Sequence, residues 1–89
     1  MEPGGKTMLK ITLQYCAVWH YTPRAVSSAA ELLETYEPEI ESITLIPSDG
    51  GRFELNVNGK LLYSKLSTGR HVEPGEVKNL VGKFLKEGK

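Results

Sequence analysis

The sequence predicts a two-layer α/β sandwich in which a four-stranded mixed sheet carries two helices on one face. Three features lead to this prediction: short segments that alternate between apolar and polar residues, two segments with apolar residues at helical spacing, and a chain of only 89 residues. A chain of this length has room for one compact core, so both helices must share it. The expected order of elements is β-α-β-β-β-α.

The first strand is predicted to begin at residue 9, where the sequence reads LKITLQY. Apolar and polar residues alternate here, as in a strand with one buried and one exposed face. The apolar positions are Leu9, Ile11, Leu13 and Tyr15. Residues 1–7 (MEPGGKT) have no such pattern, so we expect a disordered lead-in followed by one domain over residues 8–87.

The first helix is expected from about Pro23 to Tyr36, with Thr22 as its N-cap and Pro23 in its first turn. Pro38 ends it. The helix could also begin earlier, inside the preceding loop, and the sequence leaves that start open. The predicted apolar face consists of Val26, Ala29, Ala30, Leu33 and Tyr36.

The second strand is predicted over residues 40–46 (IESITLI), which are rich in β-branched side chains and are followed by the turn Pro-Ser-Asp-Gly-Gly. A right-handed crossover would place this strand parallel to the first. Two further alternating segments flank Asn58 and Gly59. Asn-Gly between two strands is a strong signal for a tight hairpin, because both residues tolerate positive φ.

The last helix is predicted to open at Pro74, after a polar loop over residues 64–73. Its apolar stripe consists of Val77, Leu80, Val81, Phe84 and Leu85. The spacing of this stripe matches a helix that lies on the sheet with its lysines toward water.

The composition argues against several functions. Eleven basic and eleven acidic residues cancel, so no overall charge favours nucleic acid or an anionic membrane. No apolar run is long enough for a signal peptide or a membrane span. A single cysteine excludes a disulfide framework and a cysteine-based zinc site. We therefore expect a soluble cytoplasmic protein with no metal site and no tightly bound cofactor; the oligomeric state stays open.

The candidate reactive group is Cys16, which follows the first strand in the run YCAVWHY. A loop that leads from a strand into a helix exposes a sulfur, and the helix N-terminus favours its thiolate. Paired redox cysteines stand three residues apart, but the residue three beyond Cys16 is Trp19. An indole has no redox sulfur, so the functional question depends on this tryptophan. In isolation, Trp19 would be a partly exposed aromatic that anchors a binding partner.

The neighbours of Cys16 allow two interpretations each. A protonated His20 would favour the Cys16 thiolate, or it is simply an exposed loop histidine. Tyr21 supports the site, or it packs against the core with its hydroxyl in water.

The loop after the fourth strand is expected to approach the Cys16 end of the sheet. Lys65, Arg70 and His71 in this loop could attract the carboxylates of a ligand, although a solvated loop is the simpler interpretation. The pair Gly50 and Gly51 is best explained as a turn, with backbone amides facing an anion as the alternative.

Residues 8–86 resemble selenoprotein W and its relatives, the thioredoxin-like Rdx group. The resemblance rests on YCAVWHY after the first strand, on the hairpin GGRFELNVNGKLLYSK, and on STGRHVEPGEV before the last helix. It implies a thioredoxin-like fold and a small cytoplasmic thiol or selenol redox protein. Cys16 matches the first position of the family's Cys-x-x-Sec or Cys-x-x-Cys motif. Glutathione or a partner protein's thiol or disulfide is the implied cosubstrate.

Trp19 departs from this pattern, because it occupies the position of the selenocysteine or second cysteine. Selenocysteine is encoded by UGA, one base from the tryptophan codon UGG, so we hypothesise that position 19 is selenocysteine in the natural protein. Such a pair would reduce peroxides or disulfides, or exchange thiols with glutathione, in cell redox homeostasis. With Trp19, Cys16 needs an external thiol to resolve an intermediate. The alternative function is a non-catalytic interaction module on the same fold.

A second departure concerns the turn before the hairpin. Thioredoxins place a cis-proline opposite the motif, just before the hairpin strand, and this chain has Gly50 and Gly51 there. Ordinary thioredoxin substrate binding is therefore not expected.

Overall fold

A computed structural model describes residues 8–87, so the predicted lead-in of residues 1–7 lies outside the described part. The elements are β1 (Leu9–Cys16), α1 (Thr22–Tyr36), β2 (Ile40–Ser48), β3 (Phe53–Val57), β4 (Lys60–Ser64), α2 (Lys65–Thr68) and α3 (Glu76–Lys86). The four strands form one sheet in the order β2-β1-β3-β4. No helix within residues 8–87 is both long and apolar enough to cross a membrane.

The central strand β1 sets the register of the sheet. It pairs parallel with β2, where Leu13 lies opposite Leu45, and antiparallel with β3, where Leu13 lies opposite Leu55. The β3–β4 hairpin turns at Asn58 (φ 51°) and Gly59 (φ 85°), as the Asn-Gly signal predicts. The predicted mixed sheet and its parallel β1–β2 pair are confirmed.

The core lies on one face of this sheet. Alternate residues of β1 and β3 are buried there, α1 and α3 pack against the same core, and the two helices contact each other. The largest buried side chains are Phe53, Leu9, Ile11, Leu13, Leu32, Leu55, Val57, Val77 and Val81. The two-layer sandwich with both helices on one face is therefore confirmed, as is the buried stripe of α3.

The predicted apolar face of α1 is wrong at three positions, because Val26, Ala30 and Leu33 are exposed. Val26 and Leu33 are 51% and 38% exposed, whereas Ala25, Ser28 and Leu32 form the buried row. Small side chains such as Ala25 and Ser28 permit close packing of a helix on a sheet, which gives a physical reason for burying this row and not the neighbouring one. A prediction from hydrophobicity alone assigns the larger apolar residues to the buried face.

The start of α1 also differs from the prediction. Thr22 is the first residue of the helix, and Tyr21 occupies the N-cap position without a side-chain hydrogen bond. The Ala25 N–H donates to the Tyr21 carbonyl at 3.0 Å, which fixes Tyr21 at the start of the first turn. The helix therefore begins after the cysteine loop and not inside it.

Three other boundaries are corrected. β2 continues through Pro47 to Ser48. It is an edge strand, and the open side of an edge strand has no ladder hydrogen bonds that a proline could break. The predicted polar loop contains the single turn α2, whose first amides are capped by Ser64, since the Ser64 hydroxyl accepts the Ser67 N–H at 3.2 Å. Pro74 precedes α3, which begins at Glu76 after Gly75.

Candidate functional site

Three connecting segments meet at one end of the sheet. β1 and β4 both run antiparallel to β3, so the C-terminal ends of β1 and β4 lie beside the start of β3. This arrangement gathers residues 17–21, residues 49–52 and residues 65–75 around the end of β1. Cys16 is the last residue of β1.

Cys16 is completely buried, so the predicted exposed sulfur is wrong. Cys16 belongs to the strand and not to the loop, and its backbone is held on two sides. Its N–H donates to the Arg52 carbonyl at 2.8 Å, and its carbonyl accepts the Tyr21 N–H at 3.1 Å. The second hydrogen bond folds the loop back toward the strand end, which accounts for the burial.

The loop of residues 17–21 closes over the sulfur. The His20 N–H donates to the Ala17 carbonyl at 3.0 Å, and His20 adopts a left-handed φ of 63°. This turn brings the Trp19 N–H to the Cys16 Sγ at 3.3 Å. A charged sulfur accepts such a hydrogen bond more strongly than a neutral one, so the backbone of residue 19 is placed to stabilise a thiolate.

The Trp19 indole lies across Gly51. A Cβ on Gly51 would stand 2.8 Å from the ring, and Gly51 has a φ of 74°, so only glycine fits here without strain. The indole also meets the Tyr21 ring edge to face, at 6.2 Å between ring centres and 87° between planes. Its side remote from Gly51 faces water, and Trp19 is 57% exposed. The Gly50–Gly51 turn is thus also an aromatic contact surface.

No peptide bond within residues 8–87 is cis. The cis-proline of thioredoxins therefore has no counterpart in the described part of this chain, as the Gly50–Gly51 sequence indicates.

Tyr21 is buried and joins the cysteine loop to the segment after β4. The ring centres of Tyr21 and His71 are 4.4 Å apart at 79°, and the Lys65 Nζ lies 5.8 Å from the centre of the Tyr21 ring. The predicted approach of Lys65 and His71 to the Cys16 end is therefore seen in the structure. The packing role proposed for Tyr21 is seen as well, whereas its support of Cys16 chemistry stays a prediction.

Arg70 lies in the same segment but is engaged elsewhere. Its guanidinium donates to both carboxylate oxygens of Glu76 at 2.9 Å. The hydrogen bond from Arg70, with a second from the Glu73 N–H, lowers the pKa of Glu76 to about 2. Arg70 therefore ties residues 65–75 to the start of α3, and the attraction of a ligand carboxylate to this segment stays a prediction.

The structure adds a residue that the sequence analysis missed. Arg24 stands in the first turn of α1, three residues after Tyr21, and its charge acts on His71. A cation in the first turn is repelled by the positive end of the helix dipole, and no acidic residue in this turn offsets the repulsion. That unfavourable placement was the available signal in the sequence.

His71 is the titrating group of this cluster. Burial lowers the pKa of His71 from the ordinary value of 6.5, and the positive charges of Arg24 and Lys65 lower it further. Its Nδ1 is buried without a hydrogen-bond partner among residues 8–87. The folded protein therefore keeps this imidazole neutral at neutral pH.

The neutral His71 predicts an acid-sensitive stability. The unfolded chain takes up this proton at a higher pH than the folded chain, so the free energy of unfolding decreases as the pH falls below about 6.5. Urea unfolding at pH 7.5 and pH 5.5 measures the loss, and His71→Gln should reduce it. The exposed His20 provides the control, because His20→Gln should leave the loss unchanged. An equal loss in the His71→Gln variant would contradict this assignment.

His20 itself is exposed, and its backbone closes the turn over Cys16. Its effect on the Cys16 thiolate stays a prediction. Within residues 8–87, no group of three or more His, Cys, Asp or Glu side chains is arranged to hold a metal ion.

Comparison with known proteins places this geometry in a family. Residues 10–83 match the Rdx family. The crystal structure of a selenoprotein W-related protein from Vibrio cholerae is 31% identical with a TM-score of 0.82, and the match covers 88% of this chain and 98% of that one. A crystal structure of a protein from Bordetella parapertussis is 30% identical with a TM-score of 0.80, covering 85% and 96%.

A comparison with curated proteins gives no significant match. The family match and the two structures nevertheless agree with each other over most of the chain, and they agree with the resemblance in the sequence. The chain therefore belongs to the Rdx family, a redox-type family, and shares the thioredoxin-like fold of selenoprotein W-related proteins.

Proposed function

We propose that this protein is a small thiol or selenol redox protein in which Cys16 is the reacting group and position 19 carries selenocysteine or cysteine in the natural protein. The observation that supports this most is the hydrogen bond from the Trp19 N–H to the Cys16 Sγ, at 3.3 Å. The Cβ of residue 19 is two bonds from that nitrogen. A sulfur or selenium atom at position 19 would therefore lie within reach of Cys16.

The chemistry begins with attack by the Cys16 thiolate. Attack on a disulfide forms a mixed disulfide and releases the other sulfur as a thiolate, which takes up a proton. Attack on a peroxide forms a sulfenic acid and releases the second oxygen as water or an alcohol. A thiol or selenol at position 19 would then displace the leaving group and close an internal bond, whereas with Trp19 an external thiol such as glutathione must do so.

The burial of Cys16 means that this reaction requires an opening. Cys16 is held in the sheet by β1, whereas residues 17–21 form a loop outside it. Loops open locally at much lower free energy than strands in a core. We therefore propose that the loop moves away from the sulfur while the sheet stays intact.

The reaction partner follows from the cell compartment that we expect. A lone cysteine is typical of a reducing cytoplasm, where glutathione is the abundant small thiol. We propose that the protein works there in redox homeostasis, with glutathione or a protein thiol or disulfide as its cosubstrate and without a tightly bound cofactor.

The test of Cys16 is incubation of the folded chain with glutathione disulfide, followed by intact mass spectrometry. The expected product is a chain with one glutathione attached, and excess thiol should remove it. Cys16→Ser removes the sole thiol and should give no adduct. An adduct that forms only after the chain is denatured would contradict the proposal.

The test of position 19 is its codon in the native gene. A UGA codon together with a selenocysteine insertion element would support selenocysteine. A UGG codon without such an element would contradict it, and Cys16 would then act as a single thiol.

A second candidate function is an interaction module, and one observation favours it. The Trp19 ring packs closely against Gly51, which has no Cβ and so leaves room for an indole. This fit is expected if tryptophan is the natural residue. Val18, Trp19 and Leu66 expose apolar surface at the same end of the sheet, with exposed fractions of 66%, 57% and 56%. Such a patch would anchor a partner protein, and the codon at position 19 separates this candidate from a selenol pair.

A further inference from the structure

The open edge of the sheet at β2 has no charged side chain along most of its length. The strand order β2-β1-β3-β4 leaves β2 without a neighbouring strand on one side. From Ser42 to Ser48 the strand reads SITLIPS, which contains no lysine, arginine, aspartate or glutamate. Edge strands are usually protected from pairing by such charges or by proline, and in this stretch only Pro47 has that role. The residues before Pro47 can therefore pair with another strand.

The backbone groups that point to this edge follow from the register of the sheet. The Ser48 carbonyl accepts the Ala17 N–H at 3.0 Å, so the backbone of Ser48 faces β1. The register of β2 on β1 is regular from Ser42 to Ser48, and backbone groups alternate in direction along a strand. The N–H and carbonyl groups of Ile43 and Leu45 consequently point away from β1, toward the open edge. Their side chains pack against the core but are only partly buried.

Helix α1 continues this edge in the second layer of the sandwich. Arg24 and Glu31 lie on the flank of α1 that lines a groove toward the residues before α3. At about 100° per residue, Val26 and Leu33 lie on the other flank, which is on the β2 side. They are 51% and 38% exposed. We call the surface formed by Val26, Leu33 and residues 42–48 the β2–α1 edge.

A second copy of the chain is the partner that this surface favours. A partner must supply a strand and, one layer above it, an apolar helix flank in the same relative position. A copy related by a two-fold axis supplies both, because the same patch is then used on each side. The β2–α1 edge also has no charge that would select a partner of opposite charge.

The sequence of β2 favours one register for this pairing. With the two-fold axis at Thr44, Ile43 lies opposite Leu45 of the second copy, so the backbone groups that point to the open edge meet each other. Glu41 then lies opposite Pro47 of the second copy, and no like charges face each other. An axis one residue further along the strand would set Glu41 against Asp49, which repel each other.

The size of the β2–α1 edge suits a weak dimer. Residues 42–48 of β2 span about 23 Å, and a sheet with one helix layer is about 20 Å thick. Two copies joined along this edge would bury about 1,000 Å² in total, which is near the lower limit for a specific interface. We therefore expect a dissociation constant in the micromolar range and not a permanent dimer.

We propose that this protein forms a two-fold symmetric dimer in which β2 pairs antiparallel with β2 of a second copy and the two α1 flanks meet above the joined sheet. The inference does not depend on the proposed redox function, because neither Cys16 nor residue 19 belongs to the β2–α1 edge. A dimer whose Cys16 is unreactive would keep this inference and reject the proposed function, and a reactive monomer would do the reverse.

The first test is amide hydrogen exchange of the unaltered chain, followed by NMR at increasing protein concentration with a reductant present. The amides of Ile43 and Leu45 should become more protected as the concentration rises, because they gain partners across the axis. The Thr44 amide is the internal control, since it points to β1 and should be protected at every concentration. Exchange at Ile43 and Leu45 that does not change with concentration would overturn the proposal.

The second test is sedimentation equilibrium of charge variants under the same reducing conditions. Thr44→Lys should raise the dissociation constant at least about tenfold, because it sets two lysines against each other on the axis. Leu33→Lys should have a similar effect through the helix flank. Leu61→Lys is the matched control, since Leu61 is a 50% exposed residue on β4, the opposite edge of the sheet, and should leave the dimer unchanged.

Three results would contradict this dimer. A chain that stays monomeric up to about 1 mM would leave the edge to a strand of another protein. Equal weakening by Leu61→Lys would assign the contact to β4 or to general charge repulsion. A dimer that is lost in Val18→Lys but kept in Thr44→Lys would assign it to the exposed patch at the cysteine loop.

Discussion

Trp19→Cys should convert Cys16 into one half of an internal disulfide. After mild peroxide, the intact mass of the variant should fall by two hydrogen atoms, and reduced glutathione should restore it. The reason is geometric: the backbone of residue 19 already contacts the Cys16 Sγ, so a thiol at that position resolves the sulfenic acid before a second molecule can. Mass spectrometry under non-reducing conditions measures the product.

The matched control for this variant is Trp19→Ser, which removes the indole without adding a thiol. It should form a sulfenic acid or a glutathione adduct on Cys16 but no internal bond. If Trp19→Cys gives only dimers or separate oxidation of both cysteines, position 19 does not face Cys16. The assignment of a paired redox motif would then be wrong.

Trp19→Ala should expose Cys16 to small thiol reagents about tenfold more often than in the unaltered chain. The buried side of the indole contacts Gly51 and Tyr21, and this contact contributes about 1 to 2 kcal/mol to the closed loop. Because Cys16 is buried, its labelling rate reports the population of the open loop. Stopped-flow labelling with a chromogenic disulfide measures this rate.

Val18→Ala is the control for this effect. Val18 lies in the same loop but is 66% exposed, so its truncation should change the labelling rate little. Equal acceleration by both variants would indicate general loosening of the loop, and no acceleration by Trp19→Ala would show that the indole does not hold the loop closed.

Most of the fold could be predicted because the alternation of apolar and polar residues within a strand indicates which side chains are buried. Alternation along β1 and β3, together with Asn58-Gly59, determines which side of the sheet is buried and where the hairpin turns. The rotation of α1 could not be predicted in the same way. It depends on how closely Ala25 and Ser28 approach the sheet, which is a property of two elements and not of one.

The candidate site was predictable in its location but not in its exposure. A cysteine at the end of β1 must lie where loops meet, and β4 ends at the same edge, which explains why Lys65 and His71 were expected there. The burial of Cys16 depends on how the loop of residues 17–21 folds back over the strand end, where Trp19 contacts Gly51 more than thirty residues away in the chain. No local pattern encodes that contact, and the signal for Arg24 was limited to its unfavourable placement in the first turn of α1.

The most direct test of the central claim is the rate at which glutathione disulfide modifies Cys16 in increasing, non-denaturing concentrations of urea. If Cys16 is a reacting thiol behind a mobile loop, modification proceeds by local opening, and its rate should barely depend on urea below the unfolding transition. If instead the logarithm of the rate rises with the same slope as global unfolding, the thiol reacts only when the core is lost. That result would make Cys16 a structural residue and contradict a redox role for this site.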